Sequence, residues 1–188
     1  MTELDAYLDV ILAKYAGSFD IQKDYLFENR TYPAYGSFSS LGEKYVLIKK
    51  AKLWSVKAFE YIFFTDADTC TKELLDDIRR IMTDYMEPVL VRKNEKYPEK
   101  DHMYSYLTFA VLCRQKPSED VIREIRKFSF DRGYLFSFRG HAEGHLVVAD
   151  METESVFTNA AGRELNKLYK KTFDDVRRGA RGYKELYA

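Results

Sequence analysis

Two short runs hold residue types that could do chemistry. Asp66-Ala67-Asp68 directly follows the apolar run from Tyr61 to Phe64. Two carboxylates at the end of a strand suit a divalent cation held against a nucleotide diphosphate. The residues before them show no pattern for a nucleotide-binding half, however, and acidic residues ahead of a helix also stabilise its free amides, as Asp68, Thr69 or Thr71 could do here. Capping or solvation is the expected role.

His141-Ala142-Glu143-Gly144-His145 holds two of the three histidines. On an extended strand, positions 141, 143 and 145 point to one face, giving two imidazoles and a carboxylate, a set that suits zinc or non-haem iron. Gly140 and Gly144 favour a hairpin turn instead, in which these side chains diverge into water. The turn is the expectation. A divalent metal at His141, Glu143 and His145, or at Asp66 and Asp68, is the alternative, and otherwise no cofactor is expected. His-Ala-Glu opens the zinc deaminase signature, but no Pro-Cys-x-x-Cys follows. His102, beside Asp101, is expected in water at the mouth of a hairpin.

Other chemistry finds less support. There is no glycine-rich phosphate loop, no G-x-S-x-G elbow and no H-E-x-x-H helix. Cys70 and Cys113 lack the paired spacing of a zinc site and form no disulfide framework, and Cys113 ends an apolar strand, where a thiol is inert. The sequence leans away from an enzyme. Aromatics at Phe59, Tyr61 and Phe63, and at Tyr104 and Tyr106, could stack single-stranded nucleic acid, but the stretch from Met103 to Phe109 lacks the basic, glycine-containing signature of such domains. Core packing is the expected role. Lys44, Lys49, Lys50, Lys52 and Lys57 read as a protected sheet edge rather than a basic ridge.

The elements that must position these residues show themselves in a repeat. Tyr61-Ile62-Phe63-Phe64 leads into Leu74, Leu75, Ile78 and Ile81, just as Thr108-Phe109-Ala110-Val111 leads into Val121, Ile122, Ile125 and Phe128, 47 residues later. Each copy reads as a strand, a polar loop and an amphipathic helix. With strands over 56–65, 89–92, 103–113 and 134–139 and helices over 72–86 and 118–130, the order is βαββαβ. This predicts an α+β fold with a ferredoxin-like core, an antiparallel sheet covered by helices on one face. An N-terminal helix over 2–15, a wrapping segment to 42 with at most a short strand, a strand over 44–50 and strands near 146–150 and 156–157 are added. A C-terminal helix carries Leu165, Leu168, Tyr169, Phe173 and Val176, followed by a basic tail.

Composition fits one domain. The 188 residues are 46% hydrophobic and 15% aromatic, enough for one core and short for two. The expected division is 1–42 for the helix and wrapping segment, 43–158 for the core and 159–188 for the C-terminal helix and tail. Thirty basic residues balance thirty acidic ones, so no global field draws in nucleic acid or an anionic membrane. No apolar run is long enough to span a bilayer and the first residues lack signal-peptide order, so a cytoplasmic location is expected.

The stretch Glu43-Lys44-Tyr45-Val46-Leu47-Ile48-Lys49-Lys50-Ala51-Lys52-Leu53-Trp54, followed by Phe59-Glu60-Tyr61-Ile62, resembles the strand pair of an uncharacterised domain family of anaerobic Gram-positive bacteria, and the likeness covers most of the chain. That family has no assigned activity, cofactor or catalytic residue. The resemblance implies a bacterial cytosolic protein and nothing about a site. The functional expectation is therefore a non-catalytic binding module. It would associate with itself or a protein partner through a sheet edge or through 32–38, with a small metal-dependent enzyme as first alternative and single-stranded nucleic-acid binding as second.

Overall fold

The computed structural model describes residues 2–40 and 57–187. The strand expected over 44–50, with four of the five clustered lysines, lies outside them. The described residues form a mixed α and β fold with a seven-stranded sheet and five α-helices.

Helix α1 (Glu3–Tyr15) begins at a capping box, in which the Thr2 hydroxyl accepts from the Asp5 amide and the Asp5 carboxylate accepts from the Thr2 amide. Its stripe of Leu4, Tyr7, Ile11 and Tyr15 is buried. The segment read as a wrapping coil is a hairpin of β1 (Asp20–Phe27) and β2 (Arg30–Ser39). Glu28 and Asn29 turn it with φ of 47° and 60°, the left-handed pair that a two-residue hairpin needs. With no glycine in that turn, its sequence signal is weak. Tyr32, Ala34 and Tyr35 are buried in β2, which lies between β1 and β3.

Strand β3 (Lys57–Ala67) is followed by α2 (Lys72–Ile81), capped by the Thr71 hydroxyl. The helix does not end where expected. It continues as a π-helix through Met82–Val91, so the strand predicted at 89–92 is helical. Pro88 has no amide to donate, and the wider turn restores pairing around it through Arg92 N–H to Glu87 C=O at 3.1 Å. The chain thereby returns to the start of the sheet before β4 (His102–Cys113), which lies parallel to β3. Helix α3 (Glu119–Lys127) repeats the crossover, and β6 (His141–Asp150) lies parallel to β4. The 47-residue repeat is thus two successive strand–helix units of a βαβαβ core. The antiparallel ferredoxin-like order fails because the first strand of its central hairpin, expected over 89–92, is part of a helix, and β4 pairs parallel to β3.

Short strands β5 (Asp131–Gly133) and β7 (Ser155–Thr158) pair antiparallel with opposite ends of β6, giving the order β1-β2-β3-β4-β6-β5 with β7 on β6. The strand expected over 134–139 is a tight turn. Leu135, Phe136 and Ser137 take φ of 48°, 54° and 67°, and Gly140, at φ 73°, packs where a Cβ would lie 2.0 Å from the Met103 carbonyl oxygen. A 3₁₀ turn (Ala161–Glu164) leads into α4 (Leu165–Arg177), and α5 (Tyr183–Tyr187) ends the fold.

Helices pack on both faces of the sheet, over only part of the second. Against α2, the π-helix and α3 lie Phe63, Leu107, Phe109, Val111, Leu146 and Val148. Against α1 and α4 lie Ile62, Phe64, Ala110, Leu112, Val147 and Ala149. Between the helices of the second face, the Tyr7 hydroxyl donates to the Tyr169 carbonyl at 2.7 Å.

Glu87, on the π-helix, is fully buried. Its carboxylate accepts from Arg92 Nε at 2.7 Å, Arg132 Nη1 at 3.0 Å and the Tyr134 hydroxyl at 2.7 Å. This network ties the helix to β5 and the turn beyond it. Tyr134→Phe removes one hydrogen bond to a charged group, and urea unfolding should show a loss of about 1.5–3 kcal/mol.

Candidate functional site

Strand pairing arranges the second face of the sheet as a grid. Because β3, β4 and β6 are parallel and in register, residues of alternate parity meet in rows across them. The rows run Ala58, Tyr104, His141; then Glu60, Tyr106, Glu143; then Ile62, Thr108, His145; and only then the apolar Phe64, Ala110, Val147. Helices α1 and α4 cover the apolar rows. Over the second and third rows the face opens into a cleft of about 510 Å³, lined by Glu60, Tyr106, Glu143 and His145, and walled by Ala160, Ala161, Arg163, Glu164 and Leu165.

One side chain holds that wall in place. Asn159, buried beneath it, accepts from the Leu146 and Gly162 amides through Oδ1 at 2.9 Å each and donates through Nδ2 to the Gly144 and Phe128 carbonyls at 2.9 and 3.2 Å. The amide is used in full, and it fixes the 3₁₀ turn to β6 beside the cleft floor.

Aromatic rings run across the floor. Tyr104 and Tyr106 have centroids 5.0 Å apart, and Tyr106 stacks on His145 at 4.5 Å and 27°. His145 Nε2 lies 3.4 Å from Glu143 Oε2. Burial lowers the His145 pKa, with Glu143 acting in the opposite direction, and burial raises that of Tyr106. Burial also raises the Glu60 pKa, opposed only by the Thr108 hydroxyl, which donates to Glu60 Oε1 at 3.3 Å. Among the described residues no cation is paired with Glu60.

The structure separates the sequence's candidates. His141, Glu143 and His145 lie on an extended strand and share the second face of the sheet, so the turn expected between Gly140 and Gly144 is not formed; the turn lies before the strand, at 134–140. Gly144 is required for a different reason: a Cβ there would lie 2.6 Å from Phe130 Cβ and 3.0 Å from Met82 Sδ on the opposite face. Among the described residues no group of three or more His, Cys, Asp or Glu side chains is placed to hold a metal ion. Asp66 and Asp68 lie at the far, carboxyl end of β3, where Arg114 pairs with both at 3.2 and 3.4 Å. His102 is buried rather than solvated, held by the Arg139 carbonyl and the Ser105 hydroxyl at 2.8 Å each, and burial lowers its pKa. Cys70 and Cys113 are buried free thiols, and burial pushes Cys70 up to about 12 and Cys113 up as well.

Of the aromatics weighed for nucleic acid, Tyr61 and Phe63 pack under the helices of the first face, while Tyr104 and Tyr106 lie on the second. Glu60, Thr108, Asn159, Arg163 and Glu164 carry no motif. For Glu60 and Thr108 the signal is parity and register, and register between distant strands is set by crossovers; Asn159, Arg163 and Glu164 lie beyond the strands.

The molecule defined by these features is a single-sheet α+β protein with a polar, aromatic-floored cleft on one face of a parallel strand triplet. It belongs to the family described as Domain of unknown function (DUF8052), whose model matches residues 3–171. No curated protein and no solved structure matches the chain. Among the described residues no helix is long and apolar enough to cross a membrane.

Two variants test the site's construction. Asn159→Ala leaves two buried amides without acceptors, and denaturant unfolding should show a loss of about 1–3 kcal/mol or more. Glu60→Gln should stabilise the protein at pH 8. A carboxyl whose pKa is raised by folding costs stability when ionised, and that cost vanishes once the pH falls low enough to protonate it in both states. The difference in melting temperature between variant and parent should therefore shrink as the pH is lowered to about 4.

Proposed function

We propose that this protein is a non-catalytic binding module whose ligand occupies the cleft over Glu60, Tyr106, Glu143 and His145. The observation that carries this reading is the contrast between two withdrawn carboxylates. Glu87 is met by two arginines and a tyrosine hydroxyl, as a buried charge must be. Glu60, among the described residues, is met by one hydroxyl and opens on a cleft. A group left short of partners in a concave, partly apolar site is where an incoming molecule gains most from making them.

The metal-dependent reading has less support, since Asp66 and Asp68 are engaged with Arg114 and the β6 histidines do not converge with a third ligand among the described residues. Association between copies through a sheet edge is a separate reading. The edge strand β1 gives it little support, because Lys23 and the left-handed backbone at Asp24 interrupt the template that edge pairing needs.

Amide NMR spectra recorded with a small-fragment library test the proposal. Binding fragments should shift the amides of 143–145 and 160–164 together, and Tyr106→Ala should weaken those fragments by roughly tenfold, about 1.4 kcal/mol. Shifts confined to other surfaces would overturn the reading. Shifts that appear only with added zinc or manganese, and vanish with chelator, would favour the metal reading.

A further inference from the structure

We propose that the ligand is an organic cation, an alkylammonium or guanidinium compound whose charged nitrogen lies between Glu60 and Glu143 while its carbon stem runs along the Tyr106–His145 pair. This rests on the cleft being the binding site. It is argued from the grid, the lining and the size of the space.

Glu60 and Glu143 flank Tyr106 in one row, each one strand away. The strand spacing of about 4.8 Å places their Cα atoms about 10 Å apart. The spacing is set by backbone pairing, so both carboxylates face a guest resting on the ring between them. The charge balance agrees. Among the described residues, three carboxylates, Glu60, Glu143 and Glu164, line the cleft against one arginine, Arg163, so an anion entering it would meet repulsion on three sides. The remaining surface is suited to hydrocarbon: the Tyr106 and His145 rings on the floor and Ala160, Ala161 and Leu165 on the wall. Aromatic rings beside carboxylates are a recurrent seat for ammonium and guanidinium groups. The volume of about 510 Å³ suits a small organic molecule rather than a bare ion.

Proton linkage supports the same class of guest. Glu60 faces Tyr106 and Thr108 of β4, Glu143 and His145 of β6, Arg163 and Glu164 of the wall, and the buried hydroxyls of Tyr15 and Tyr169 on α1 and α4. Burial raises its pKa, and a bound cation lowers it again. Cation binding should therefore release protons and strengthen as the pH rises through the Glu60 titration. Protonation of His145 at acid pH acts in the same direction, by repelling the guest.

The test is calorimetry on the full chain with putrescine and agmatine as probes, 1,4-butanediol as the uncharged counterpart, succinate as the anionic one, and N-acetyl-lysine amide to represent a peptide side chain. The expected result is binding of putrescine or agmatine, with butanediol silent, proton release detected by comparing two buffers, and an affinity loss of roughly tenfold or more in both Glu60→Gln and Glu143→Gln. Binding of the lysine amide as tight as that of the free amines would identify a protein side chain as the source of the cation. Equal binding of butanediol, or unchanged affinity in both glutamine variants, overturns the inference. Succinate binding that is lost in Tyr106→Ala overturns the cation but leaves the cleft as the site, whereas silence from every probe counts against both. Glu60→Gln is predicted to be more stable than the parent, so loss of binding in it does not reflect unfolding.

Discussion

The three parallel strands are longer than the helices on one of their faces, and the rest of the molecule follows from that mismatch. Strand β4 has 12 residues, an extended length of about 40 Å. Helices α1 and α4 have 13 residues each, about 20 Å at the helical rise. On the other face, α2 and the π-helix together run 20 residues, and the amino-terminal half of the sheet is covered there. One face is therefore closed by a helix that overruns its expected end, while the opposite face is covered only over its carboxyl half. The residues follow the same division. Where helices lie above the second face it presents Phe64, Ala110 and Val147, and where they do not it presents Glu60, Tyr106, Glu143 and His145.

The continuation of α2 decides both topology and chemistry. Without the π-turns around Pro88 the chain would have to leave the helix near Met86, and Val89, Leu90 and Val91 would be free to form the strand their types favour. Glu87 holds the other outcome by drawing Arg92, Arg132 and Tyr134 into one buried network. The π-helix therefore forms against local propensity, with tertiary contacts supplying the stability. The same network joins β5 and the 134–140 turn to the helix, and that turn feeds the histidine-bearing strand.

How much of this was legible in the sequence depends on which principle each residue obeys. The α1 stripe, the two strand–helix repeats and the α4 stripe follow hydrophobic periodicity, and all three are present. The direction of β4 relative to β3 does not follow from periodicity, because Val89-Leu90-Val91 reads equally as a strand or as the end of a helix. The glycines around 141–145 misled for a similar reason. Gly140 is a turn residue, but Gly144 is a close-packing residue inside a strand, and sequence alone does not distinguish the two. Once β6 is known to be extended, the shared face of His141, Glu143 and His145 is as alternation predicts. Glu60 and Tyr106 join them only through register, which arises from the lengths of two crossovers.

Cys70 and Cys113 lie beneath the helices of the closed face, at the carboxyl ends of β3 and β4. In the native state neither is ionised near neutral pH or open to solvent, so towards thiol-reactive dyes these two positions are silent. A reporter cysteine introduced on the rim of the cleft would carry little background from them. The slow labelling of the two buried thiols would in turn act as a clock for this half of the sheet, running at the rate at which it opens and closes.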